Sequence, residues 1–340
     1  MKCDAKKIEN VFQKNKDKLL AVKGCTGVGI ALKIKNGKTT NIPSIVVFVK
    51  KKLCSLPKEE VIPEKLENVP TDVVEQLFDI QFNVPKTTKD EVKNITVNSD
   101  PLFSGLQIQS LLGKLDGIVK LGIGTLGCFI YTSGKAASDG NDKIEAGDYM
   151  LTCNHTFLSK MIEGEKPAYN ECYEPDYNNL CGYYTYGFLN LRLGYDCAIV
   201  KVNRKYKNEV QTPNPAGPGY IKSKLNGVYK VTVNDLGKEV YKYGAKTGYT
   251  VGRIKTLNVT VPLPSGKTDL GILIEGSAGH KIIDEGDSGS VVVLKENNNV
   301  IGLLSVNDNG YINRCYCFDI INQMKCFVDS GGEVRLSHTV

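Results

Sequence analysis

The residues best suited to chemistry gather at Gly286-Asp287-Ser288-Gly289-Ser290, between Ile282-Ile283 and the apolar run Val291-Val292-Val293-Leu294. A serine between glycines, at a tight turn entering a buried strand, presents its hydroxyl as a nucleophile. The glycines let successive backbone N–H groups converge on one point, where an oxyanion can sit. Gly-Asp-Ser-Gly is also an ordinary turn composition, so the reading depends on a base and an orienting acid. The chain has three histidines. His338 lies in a polar tail whose default is disorder, and His280 belongs to a surface loop. His155 follows the apolar stretch Tyr149-Met150-Leu151-Thr152-Cys153, which places an imidazole just past a strand end. The acid is Asp196, which opens the apolar strand Cys197-Ala198-Ile199-Val200 and needs hydrogen-bond donors there. An imidazole N–H would serve.

His155, Asp196 and Ser288 stand in the order His, Asp, Ser, at spacings of 41 and 92 residues. With these motifs the chain resembles the trypsin-like, chymotrypsin-fold serine peptidases. Leu151-Thr152-Cys153-Asn154-His155 resembles their histidine box, Tyr195-Asp196-Cys197-Ala198-Ile199-Val200 their aspartate box, and Gly286 to Ser290 their serine box. The stretch Tyr243-Gly244-Ala245-Lys246-Thr247-Gly248-Tyr249-Thr250-Val251-Gly252 is similar to a hairpin of bacterial members. Gly27-Val28-Gly29-Ile30, the Asn36-Gly37 turn and Val46-Val47-Phe48-Val49-Lys50-Lys51 resemble the leader domain of bacterial trypsin-like peptidases and of their plant narrow-leaf-type relatives.

The resemblance implies an all-β double barrel of chymotrypsin type with a small N-terminal α+β domain and a C-terminal helix. It implies a serine endopeptidase working through a Ser288-His155-Asp196 triad and an acyl-enzyme, with an oxyanion hole at the N–H groups of Gly286 and Ser288. The pocket wall would come from Ile282, Glu285, Ser305, Val306 and Asn307. Ile282 stands where trypsin itself carries its specificity-setting acid, so cleavage after Lys or Arg is not implied. About a hundred residues precede the barrels, so a freed N-terminus is not expected to pair with Asp287, which must be satisfied otherwise. The family's disulfide partner after the histidine is replaced by Thr156. The rival reading is a latent or non-catalytic peptidase-fold scaffold that binds a protein partner.

Length and patterning fit that organisation. The 340 residues allow two domains, or three small ones. An N-terminal accessory domain and linker is expected over 1–100, and a peptidase domain over 101–340. Within the latter, barrel 1 should cover about 101–210, barrel 2 about 220–310 and a closing helix about 319–328. Residues 5–21 carry apolar positions on one helical face, and Asn36-Gly37 joins two strands. A further strand is expected within 71–82, a linker over 84–101, and the crossing between barrels at Thr212-Pro213-Asn214-Pro215-Ala216-Gly217-Pro218-Gly219. Removing 1–100 is expected to alter regulation or solubility and leave the chemistry.

No apolar run approaches a membrane span, and the start has no apolar signal region, so a cytoplasmic location is expected, with export by another route left open. The eleven cysteines then read as reduced thiols; a zinc site at Cys172, Cys181, Cys315 and Cys317 is the alternative, against which stands the lack of a paired C-x-x-C. No metal and no cofactor is expected. Residues 1–65 hold 15 Lys against 6 acidic residues, a local +9 that leaves −3 for the rest. Phe12 and Phe48 are their only aromatics, so a solvated basic surface is favoured over a nucleic-acid site. The expected partner is a protein or peptide substrate, with no membrane and no nucleic acid, and homo-oligomers remain open.

Overall fold

The structure, a computed structural model, describes residues 4–53, 55–57, 60–81, 86–88, 99–115, 118–137, 143–263 and 266–338. The N-terminal segment opens on helix α1 (Ala5–Leu20), whose first turn is capped by the Asp4 carboxylate on the Lys6 N–H at 3.0 Å. Strands β1 (Cys25–Lys35) and β2 (Lys38–Val49) form a hairpin, with Asn36 and Gly37 at φ 52° and 74° as the two-residue turn requires. Four short strands follow: β3 (Lys65–Leu66), β4 (Val69–Glu75), β5 (Ile80–Gln81) and β6 (Lys86–Thr88). The strand expected within 71–82 is therefore two pieces, β4 and β5, and Phe82 lies outside the described residues. Most of the linker expected over 84–101 also lies outside them; its described part includes β6.

The middle of the chain supplies β7 (Leu102–Ser104), β8 (Gln107–Leu115), β9 (Ile118–Thr125), β10 (Cys128–Thr132), β11 (Gly147–Thr152), β12 (Glu171–Tyr173), β13 (Leu180–Asn190), β14 (Tyr195–Val202), β15 (Tyr206–Pro213) and β16 (Tyr220–Lys224). The remainder supplies β17 (Gly227–Val228), β18 (Glu239–Gly244), β19 (Gly248–Leu263), β20 (Gly266–Gly276), β21 (Val291–Leu294), β22 (Asn299–Asp308), β23 (Arg314–Asp319), helix α2 (Ile320–Lys325) and β24 (Val334–Leu336).

Among the described residues, β18-β21-β22-β23-β20-β19 form a continuous path, and β19 pairs back onto β18 to close it. This is the second barrel. It runs on through β23 to Asp319, past the expected limit of about 310. The first barrel is the sheet β24-β10-β11-β14-β13-β12-β8-β9-β6, which buries Ile108, Phe129, Met150, Cys172 and Val200 in one core. The stretch 212–219 lies between β14 of the first barrel and β18 of the second, and it is partly regular: Thr212 pairs with Ile221 and Pro213 with Tyr220, so its prolines sit at the end of the β15–β16 hairpin. The polar tail is also held. β24 pairs with β10, and the Ser337 N–H donates to the Phe129 carbonyl at 2.9 Å, leaving His338 exposed at the end of the described chain.

The N-terminal hairpin does not close on itself. β1 pairs antiparallel with β19, Val28 opposite Thr260 and Ile30 opposite Leu257. Ile8 and Phe12 of α1 and Ile30 and Ile45 of the hairpin share a single core with Ile254, Leu257, Ile272 and Ile301 of the second barrel. The β1–β2 hairpin and β4 thus share one sheet with the second barrel, and together with helix α1 they share its core.

Candidate active site

His155 follows β11 on a single 3-10 turn, Asn154–Phe157, and its ring is buried. β11 pairs with β14, Leu151 opposite Ile199, which sets the end of one strand beside the start of the other. Asp196, second in β14, is fully buried and takes three donors. Its Oδ1 accepts from the His155 backbone N–H at 3.0 Å, and its Oδ2 meets His155 Nδ1 at 2.5 Å and the Ser305 hydroxyl at 2.5 Å. Burial pushes this carboxyl up, but the imidazole charge and these hydrogen bonds outweigh it, and the group sits below its ordinary 3.8. The other face of β14 is fixed by Gln323 of α2, which accepts from the Asp196 N–H at 3.0 Å and donates to the Gly194 carbonyl at 2.9 Å. His155 Nε2 is buried and has no partner among the described residues.

A carboxyl lowered in the folded state stabilises it in full above the unfolded value near 3.8, and the contribution fades as pH falls through the lower folded value. Asp196→Asn is therefore expected to lower the urea midpoint at neutral pH, with the gap to the parent narrowing below about pH 4. A gap independent of pH would contradict this.

Ser288 lies in the turn before β21. Gly286 and Gly289 take φ of 101° and 93°, where a Cβ is disfavoured. A side chain on Gly289 would also run into Thr152 Oγ1 at 2.2 Å and the Thr125 carbonyl at 2.4 Å. The Thr125 N–H donates to the Ser288 carbonyl at 2.7 Å, and the Thr125 hydroxyl to the Gly286 carbonyl at 2.7 Å. These bonds seat the turn of the second barrel against β9 of the first, beside the strand end that carries His155. Within the turn, the Asp287 N–H goes to the Asp284 carbonyl and the Gly289 N–H to the Leu304 carbonyl. The N–H groups of Gly286 and Ser288 have no acceptor among the described residues.

Asp287 is satisfied from within the second barrel. Its Oδ1 accepts the N–H groups of Lys246 and Thr247 at 2.9 and 3.0 Å. Its Oδ2 accepts Lys242 Nζ at 2.9 Å, the Thr247 hydroxyl at 2.6 Å and the Asp284 N–H at 3.0 Å. Lys242 is itself buried, and desolvation presses its pKa down against the pull of Asp287. Gly244 allows the approach, since a Cβ there would meet Asp287 Oδ1 at 2.2 Å. The β18–β19 hairpin singled out in the sequence is thus a cradle for the residue before the candidate nucleophile.

The five pocket positions fare unevenly. Ile282 is buried in the core shared with α1, and Val306 is buried against Tyr316 and Phe318, so neither side chain stands on an open wall. Glu285 is exposed. Asn307 donates to Asn309 Oδ1 at 3.0 Å, while Ser305 is spent on Asp196. Ser305, expected in the pocket wall, and Gln323, not singled out at all, are the residues whose bonds to Asp196 and its N–H sequence reasoning missed. The zinc alternative is not assembled, because Cys172 and Cys181 lie in the core of the first barrel and Cys315 and Cys317 in that of the second. Among the described residues, Cys153, His155 and Asp196 bring ligand-type atoms within 4.8 Å of one another, but these are already hydrogen-bonded, Cys153 Sγ to the Leu304 carbonyl at 3.2 Å.

No protein-family model matches the chain, and no curated protein matches it. Among solved structures it is similar to a Nocardiopsis protease at 18% identity and a TM-score of 0.42, covering 69% of this chain and 97% of that one. It is similar to protease A of Thermobifida fusca at 15% identity and a TM-score of 0.43, covering 69% and 98%. A third is a glutamic-acid-specific serine protease, at 14% identity and a TM-score of 0.42, covering 69% and 100%. The sheet order within the chain itself gives the fold: an all-β double barrel of chymotrypsin type, with one helix at the N-terminus and another near the C-terminus.

Proposed function

We propose that the chain is a serine endopeptidase that cleaves protein or peptide substrates through an acyl-enzyme. The observation that carries this reading is the His155–Asp196 pair, held by Ser305, with His155 Nε2 buried and without a partner among the described residues, while the Ser288 turn is bonded to Thr125 of the first barrel. Ser288 Oγ attacks the scissile carbonyl carbon while His155 Nε2 takes its proton. The same proton then goes to the leaving amine, and water repeats the sequence on the acyl-enzyme. Asp196 keeps the proton of Nδ1 in place and stabilises the imidazolium. The carbonyl oxygen, negative in the tetrahedral intermediate, is received by the N–H groups of Gly286 and Ser288, each worth on the order of 3 kcal/mol in the transition state.

The test is covalent labelling by a fluorophosphonate probe. The parent chain is expected to label, and both Ser288→Ala and His155→Ala to lose labelling, with turnover down by on the order of 10⁶ in either. Absence of labelling in every folded form, including variants that loosen the strands beside the cleft, would sink the peptidase reading and favour a peptide-binding scaffold.

A further inference from the structure

Two very short strands each pair with one barrel strand only. β5 pairs antiparallel with β22, Gln81 opposite Asn307 and Ile80 opposite Asp308. β6 pairs antiparallel with β9, Lys86 opposite Gly122, Thr87 opposite Leu121 and Thr88 opposite Lys120. Both partners flank the candidate triad, from opposite barrels. β22 carries Ser305, two residues before Asn307 and bonded to Asp196. β9 lies against the His155 turn and the Ser288 turn: a Cβ on Gly122 would meet the Thr156 carbonyl at 2.1 Å, and one on Gly124 would meet the Thr156 side chain at 2.5 Å and the Ser288 carbonyl at 3.2 Å.

Extended peptides bind folded proteins by adding a strand to an open edge, and an endopeptidase must hold its substrate extended on both sides of the bond it cuts. The two edges nearest the triad are taken up by one run of this chain. Four residues separate Gln81 from Lys86, a covalent reach of about 17 Å, so the two strands are neighbours in sequence as well as partners of opposite barrels. It is tied down upstream. The Phe78 ring sits 5.1 Å from Phe48 and 6.4 Å from Tyr316, and the Asn309 N–H donates to the Asp79 carbonyl at 3.0 Å.

We propose that residues 80–81 and 86–88 occupy the two peptide-binding edges in cis, so that the resting chain is inhibited by its own substrate-like strap. This rests on the peptidase reading. The occupant is specified by connectivity: the strap is tethered, which gives it an effective concentration in the millimolar range, while each contact is only two or three residues long and opens at low cost. A substrate must displace it.

Ile80→Pro combined with Thr87→Pro removes the two N–H groups and disfavours strand pairing at both edges. The double variant is expected to raise kcat/KM for peptide substrates by on the order of tenfold to a hundredfold, with all turnover still lost on adding Ser288→Ala. Equal labelling and equal turnover in parent and variant would overturn the strap and leave the peptidase intact. No labelling in either folded form would remove the peptidase reading, and the strap with it. Should the proline variant fail to fold, Gln81→Cys with Asn307→Cys offers a cross-strand pair within disulfide reach. Oxidation, confirmed as that cross-link by mass spectrometry, is expected to suppress peptide turnover at least tenfold, and reductant to restore it. A cross-linked chain as fast as the reduced one, or a cross-link that never forms, would overturn the proposal.

Discussion

Replacing Lys242 by methionine is expected to destabilise the folded chain by about 3–5 kcal/mol and to slow probe labelling by two orders of magnitude or more. Asp287 is fully buried, and Lys242 is its charged partner at 2.9 Å. Methionine keeps the length and apolar character of the side chain, so little packing is lost, but it leaves a carboxylate in the interior with only neutral donors. The chain can relieve that charge by turning the carboxylate out towards water. Because Asp287 lies between Gly286 and Ser288, the backbone shift that lets its carboxylate out moves the N–H groups proposed as the oxyanion hole. Stability and catalysis should therefore fall together. Lys242→Met with Asp287→Asn removes both charges and is expected to recover most of the stability, giving a coupling energy of at least about 2 kcal/mol in a double-mutant cycle, but not the labelling rate. Urea midpoints and labelling rates of the four chains decide it. A Lys242→Met chain as stable and as reactive as the parent would show that the turn is held by its neutral hydrogen bonds alone.

The parts of the site that were legible in the sequence are those whose structure is local. Glycines around Ser288, a histidine just past an apolar strand and an aspartate opening another are statements about a few consecutive residues, and backbone sterics read them directly. Ser305 and Gln323 reach Asp196 from 109 and 127 residues away, and no pattern of neighbours encodes such a meeting. The same holds for the N-terminal segment. Its helix and hairpin follow from periodicity and from Asn36-Gly37, but which edge the hairpin joins is a tertiary matter. One signal was present: Gly27 and Gly29 alternate on β1, and a Cβ on Gly29 would meet Thr256 Cγ2 at 2.5 Å and the Leu257 carbonyl at 3.1 Å. Glycine spaced at the strand period marks the close approach of another backbone. The prolines of 212–219 argue against a strand interior, and they are accommodated because Pro213 ends β15 and the others lie in the hairpin turn.

Deleting residues 1–100 is expected to leave a chain that does not fold, in contrast to the expectation that a separable accessory domain raises. The hairpin covers β19, and Ile8, Phe12, Val28, Ile30, Ile45 and Val47 are fully buried in the core they share with the second barrel. At roughly 1.5–3 kcal/mol for each such side chain, the burial that crosses this boundary is on the order of 10 kcal/mol. A whole domain is stable by only about 5–15 kcal/mol. The truncated chain would expose Ile254, Leu257 and Ile272 together with an unpaired edge on β19, a combination that favours aggregation. Such a chain should bind a hydrophobic dye, lack near-ultraviolet dichroism and show no probe labelling. Supplying residues 1–76 as a separate peptide should restore a fraction of all three, because β1 has its partner register written on β19. A soluble truncation that labels at least as fast as the parent would mean that the second barrel closes its core without the hairpin. The strap could still inhibit in that case, since its removal accounts for the faster labelling, and only the shared core would have to be given up.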